Sequence, residues 1–122
     1  IINNDETKAT IMDFEEATYY YRVFDIAVLF ISLCAESGDI DFTRASSILK
    51  SYTSVTKLTD EEKQALQPLT VYAAAGVAFW RHKNFNYINP DDNLKDSYLY
   101  MKDLADKVRD LPSSYFKLLH DL

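Results

Sequence analysis

Carboxylates, tyrosines and an arginine crowd one stretch of the chain, "IMDFEEATYYYRVFDIAVLF" at residues 11–30. Asp13, Glu15 and Glu16 offer only oxygen donors. A hard cation such as Mg²⁺ takes such donors, commonly one or two carboxylates completed by substrate phosphates. Asp13 follows an apolar, β-branched run, so a strand end would hold it more firmly than the loop beyond holds Glu15 or Glu16. The other reading of Asp13 is a solvated turn former, and of Glu15 and Glu16 solvated loop carboxylates. Cys34 has no neighbouring base and lies in the most apolar segment, which makes it a packed thiol rather than a nucleophile. His82 has no second His, Cys or spaced carboxylate beside it and is not a metal-site candidate.

The elements that must position these groups follow from pattern. Residues 1–14 read as a β-hairpin, "NNDET" being the turn and "KATIMDF" a second strand that ends near Asp13. Val23 to Ala35 is apolar on nearly every face, the mark of a helix in the middle of a core, and "ESGD" closes it with Gly38 as the C′ residue. From Asp41 an amphipathic helix carries Phe42, Ala45, Ile48 or Leu49, Tyr52 and Val55 on its inner side. "LTDEE" forms a capping box, with Thr59 as N-cap and Glu62 three residues on. Pro68 should kink or restart that helix. After it, Leu69, Tyr72, Ala73, Gly76, Val77 and Trp80 form a stripe in which Gly76 permits close helix contact. "INPDD" opens a last long helix, Asn89 as N-cap and Pro90 in its first turn, with Leu94, Tyr98, Met101, Ala105 and Val108 buried. Pro112 ends it, and Ser113 caps a short terminal helix.

The chain has 122 residues, 48% of them apolar and 14% aromatic, a globular composition sufficient for one domain spanning 1–122. Thirteen Lys and Arg against nineteen Asp and Glu give a net charge of −6, which opposes attraction to nucleic acid or to an anionic membrane. The longest apolar run is shorter than the ~20 residues of a membrane span and contains Asp25 and Ser32. A single cysteine excludes a disulfide framework and suits a reducing cytoplasm. The opening "IINNDETK" has no initiator methionine, basic n-region or apolar h-region, so an internal stretch of a longer product is expected.

The segment from Asp13 to Asp25 resembles the metal-binding segment of the aminoglycoside phosphotransferase and choline kinase-like small-molecule kinases. The rest of the chain, including "LTDEEKQAL" and "FWRHKNFN", is similar to the helices of their type II homoserine kinase branch. The resemblance implies a mostly α fold with a small N-terminal β-hairpin, the C-terminal helical lobe of a protein kinase-like fold, with the helical subdomain at 23–122. It implies that Asp13 binds the Mg²⁺ of Mg·ATP, with Glu15 as a further metal contact. Asp25, in "FDIA", would steady the catalytic loop. Its other reading is a carboxylate favoured by the helix dipole. Tyr21 and Arg22 would line the acceptor side of the cleft, with Arg22 suited to a carboxylate, and Trp80, Arg81 and His82 would contact an amino-acid acceptor. The plainer readings are a loop packed onto the core and cations that complement a helix end.

The resemblance also implies what the chain lacks. No His-x-Asp catalytic loop is present, since neither His82 nor His120 sits in one, and two glycines make no nucleotide-covering loop. The catalytic Asp is therefore expected upstream, the fragment alone is expected to be inactive, and its partners are a small-molecule hydroxyl substrate (homoserine or a related amino alcohol) and the missing N-terminal lobe. The rival expectation is a self-contained helical interaction domain whose acidic entrance loop recruits a basic partner. A kinase lobe should leave apolar surface uncovered around the hairpin and Asp25; the interaction domain should show a closed core and a polar entrance.

Overall fold

The structure, a computed structural model, describes residues 2–111. It is mostly helical, with one small two-stranded antiparallel sheet. Helix α1 spans Val23–Leu29 and runs directly into a π-helical turn, Phe30–Cys34. Strands β1 (Ala35–Glu36) and β2 (Asp39–Ile40) follow, then α2 (Phe42–Thr53), α3 (Asp60–Lys83), a second π-helical turn (Asn84–Ile88) and α4 (Tyr98–Asp110). Helix α3 is the central column, packed against both α1 and α4. Ile26, Phe30, Leu49, Leu66, Leu104 and Val108 are among the fully buried side chains between these elements.

Local chemistry explains most element ends. Asp41 caps α2, its Oδ1 accepting from the backbone N–H groups of Thr43 at 2.9 Å and Arg44 at 3.1 Å. Thr59 and Glu62 form the expected capping box of α3: Thr59 Oγ1 accepts from Glu62 N, and Glu62 Oε2 accepts from Thr59 N at 2.8 Å. At the far end of the fold Gln67 Nε2 donates to the carbonyls of Val108 and Leu111, at 2.7 and 3.2 Å, which satisfies the end of α4 from the side of α3.

Several expectations are corrected. The N-terminal hairpin reduces to one isolated bridge, Ile2 with Ala9, around a turn held by Asn3, Asp5 and Thr7. No strand reaches Asp13, because a lone two-stranded pairing with no apolar face to bury is marginal in water. The sheet instead lies at 35–40. Its turn has φ 54° at Ser37 and φ 80° at Gly38, the two left-handed residues of a type I′ hairpin, so Gly38 serves a turn and not a helix cap. Pro68 does not interrupt α3, whose two flanks are held by packing on α1 and α4. Asn89 is no N-cap: residues after it form turns around Asp91, and α4 begins only at Tyr98. Leu94 is exposed, and Leu104 takes a buried place in its stripe. Pro112 and Ser113 lie outside the described residues, as does His120.

The largest correction concerns which faces are covered. Helix α1 and the π-helical turn that continues it bury Val23, Ile26, Ala27 and Phe30 but leave Val28, Leu29 and Leu33 exposed on the side that also carries Asp25. On α3 the strip Tyr72, Ala75, Gly76, Phe79 and Trp80 is likewise exposed, while Leu66, Ala73, Ala74 and Ala78 are buried. A Cβ added at Gly76 would meet nothing within 4 Å, so no helix packs closely on it among the described residues. Two substitutions should therefore have opposite signs. Gly76→Ala should stabilise the chain by about 0.5–1 kcal/mol by lowering backbone entropy in the unfolded state. Gly38→Ala, at positive φ, should destabilise it by about 1 kcal/mol. Urea unfolding of both variants checks the pair, and a destabilising Gly76→Ala would mean that this face is occupied.

Candidate functional site

The acidic stretch is an irregular, solvent-facing loop that leads into α1. Ala17 N donates to Phe14 O at 3.0 Å, closing a turn within it. Asp13 has φ 69°, in the left-handed region. That conformation costs an ordinary L-residue roughly 1–2 kcal/mol, less for Asp and Asn, and strain of this kind gathers at functional sites. Among the described residues the carboxylates of Asp13, Glu15, Glu16 and Asp25 make no hydrogen bond or ion pair. Beside them, Ile11 is 78% exposed, Met12 57% and Phe14 65%. The entrance is thus both acidic and apolar.

No group of three or more His, Cys, Asp or Glu is arranged to hold a metal among the described residues. An all-protein cage is therefore absent there. Asp13 and Glu15 are exposed carboxylates two residues apart along the loop, oxygen donors of the type a hard cation takes.

Arg22 does not wait for a substrate carboxylate. Its guanidinium grips Glu62 bidentately, Nε to Oε1 at 2.5 Å and Nη2 to Oε2 at 2.7 Å, and Nη2 also donates to the Lys57 carbonyl at 2.8 Å. Glu62 is the same residue that closes the capping box of α3. The Arg22 hydrogen bonds and then the Thr59 N–H hold its carboxyl down at about 2, well below its ordinary value of 4.5. This node joins three segments: the end of the acidic loop, the turn before α3, and the first turn of α3. The sequence offered no sign of it, because residues 40 apart carry no local periodicity.

Tyr21 lines a groove of about 450 Å³ together with Tyr20, Ala65, Pro68, Leu69 and Tyr72, with Glu61 and Glu62 at its edge. The rings form a ladder: Tyr20 meets Tyr21 edge-on at 5.2 Å and Phe24 at 5.1 Å, and Phe24 meets Tyr72 at 5.9 Å. Such a mostly apolar concavity with few polar groups is the usual form of a small-molecule site.

Trp80, Arg81 and His82 belong elsewhere, about five turns and about 27 Å along α3 from Glu62. Trp80 is exposed against Phe85 at 5.7 Å. Arg81 Nη1 donates to the Ser97 carbonyl at 3.2 Å, and the His82 ring packs on Tyr98 at 4.6 Å and Tyr87 at 5.5 Å. Arg81 and His82 tie α3 to the approach of α4, and the five expected acceptor contacts do not form one cluster. Cys34 is fully buried, and burial pushes its thiol pKa up, which fits a packed, unreactive side chain.

Comparison of the chain with protein-family models, with curated proteins and with solved structures found no match.

The Glu62 node sets a pH signature. A carboxyl with a depressed folded pKa adds stability that is fully present above its unfolded value of 4.5 and is lost as pH falls through about 2. The difference in melting temperature between the parent chain and Glu62→Gln should accordingly be constant near neutrality, shrink below about pH 4.5 and vanish near pH 2. Thermal scans across this range check it; a difference that persisted unchanged at pH 2 would contradict the ion pair.

Proposed function

We propose that this chain is the metal-anchoring helical lobe of an ATP-dependent small-molecule kinase, and that a nucleotide-binding lobe and a catalytic loop cover its apolar entrance in the intact enzyme. One observation carries this reading. Asp25 shares the exposed side of α1 and its π-helical continuation with Val28, Leu29 and Leu33, and the loop that precedes α1 exposes Ile11, Met12 and Phe14. An acidic residue set in an apolar strip suits a surface that receives a backbone loop: the aliphatic groups exclude water while the carboxylate accepts N–H hydrogen bonds. An interaction domain with a polar entrance would not need that strip.

In this reading Asp13, held in its left-handed turn, presents carboxylate oxygen to the metal, and Glu15 stands beside it. Asp13 and Glu15 would hold a Mg²⁺, which would supply neutralisation of the charge on the ATP phosphates. Asp25 steadies the loop that carries the catalytic base. The tyrosine-lined groove takes the body of the hydroxyl acceptor and keeps water from it. Arg22 is spent on Glu62, so acceptor recognition falls to the rings and to Glu61 rather than to an arginine fork. The product is a phosphate ester with ADP as the second product; homoserine and related amino alcohols are the first acceptors to try.

Asn tolerates positive φ as Asp does, so Asp13→Asn removes the charge without altering the preferred backbone. ADP production by the longest chain that the native reading frame encodes, assayed with Mg²⁺ and a panel of amino alcohols and sugars, should depend on one acceptor and fall by about 100-fold or more in Asp13→Asn. Activity indifferent to Asp13, or none with any acceptor, would remove the metal assignment and favour the acidic interaction domain.

A further inference from the structure

Resting on the kinase reading, we infer that the Arg22–Glu62 pair is a positioning device that sets the affinity for the acceptor by holding the tyrosine wall of the groove against α3. The groove has two sides of unequal firmness. One side, Ala65, Pro68, Leu69 and Tyr72, rises from the interior of a long capped helix. The other, Tyr20 and Tyr21, belongs to the end of an irregular loop and is itself exposed.

Beside the ring contacts that run from Tyr20 through Phe24 to Tyr72, the loop side is joined to the helix side by Arg22, the residue immediately after Tyr21. Its fork spans Glu62 and the Lys57 carbonyl. Two parallel hydrogen bonds fix both distance and orientation, which a single contact or a lysine would not do. Glu62 is held in turn by Thr59 N at 2.8 Å, so the anchor point cannot swing with its side chain. The ring contacts Tyr20–Tyr21 and Tyr20–Phe24 then pass this restraint along the wall. Neither Arg22 nor Glu62 needs to touch the reacting atoms for this.

A pair that acts in this way has a specific kinetic consequence. Loosening the wall weakens acceptor binding and leaves the phosphoryl-transfer step, which depends on the metal and the catalytic loop, close to its original rate once the acceptor saturates. A pair that merely stabilised the fold would lower the amount of active protein and leave KM unchanged.

The test uses the active, longest native chain and three variants: Arg22→Met, Arg22→Lys and Glu62→Gln. Gln at 62 keeps an acceptor for Thr59 N, so it spares the helix cap while removing the charge that orients Arg22. Loss of a charge-assisted pair should raise KM for the acceptor about tenfold in Arg22→Met and Glu62→Gln. Arg22→Lys, which restores the charge without the fork, should recover only part of it. KM for ATP and kcat at saturating acceptor should stay near the parent values, and amide hydrogen exchange at residues 19–22 should quicken. An active parent whose acceptor KM is unmoved in Arg22→Met, or in which kcat alone falls, would overturn this inference and leave the kinase reading standing. A parent with no turnover would overturn both.

Discussion

Two helices of this fold are apolar on more sides than the fold covers, and the rest of the structure follows from that constraint. Helix α3 is packed by α1 and α4, yet it leaves Tyr72, Ala75, Gly76, Phe79 and Trp80 in solvent. Helix α1, apolar nearly all round, is covered on the inner side alone. Burial of a large apolar side chain contributes about 1.5–3 kcal/mol, so the uncovered strips forgo several such contributions. A chain with a modest net stability gains much from a surface that covers them. Tyr72 belongs both to the exposed strip of α3 and to the aromatic groove, and Asp25 lies within the exposed strip of α1.

The same constraint explains how an exposed, irregular loop can hold a defined place. Residues 10–21 have no sheet to join and few backbone partners. They are tethered at their end by Arg22, whose partner Glu62 also caps α3. One carboxylate thus serves both the helix that carries the core and the acidic loop. A change at Glu62 reaches both at once, which is why the Gln substitution separates the two roles more cleanly than truncation to Ala.

Short-range chemistry was legible in the sequence and long-range chemistry was not. The capping box of Thr59 and Glu62 could be read from residue type and spacing, as could the buried stripe of Met101, Ala105 and Val108 and the cationic end of α3. Ser37-Gly38 was misread because a glycine after an apolar run suits a helix end as well as a type I′ turn, and only the pairing of Ala35 with Ile40 separates the two. Asn89-Pro90 looked like a helix start, but the Asp91 carbonyl and side chain hold a turn first. Periodicity revealed that α1 and α3 had apolar faces; it could not say which of those faces this chain covers. Asp13, Glu15 and Tyr21 stand out in the sequence by residue type, and Asp25 by the family resemblance. The pairing of Arg22 with Glu62 depends on the packing of α1 on α3 and leaves no trace in either segment alone.

The claim at the centre of this account is that the apolar sides of α1 and of the acidic loop are an internal surface of a larger enzyme. Amide hydrogen exchange, followed by mass spectrometry at residues 10–22 and 24–33, measures this most directly when residues 1–122 alone are compared with the longest chain that the native reading frame encodes. The account predicts that the loop around Asp13 and the Asp25 side of α1 gain strong protection in the longer chain. Unchanged, rapid exchange of the loop in both would contradict it, because that surface would then face solvent in the whole protein.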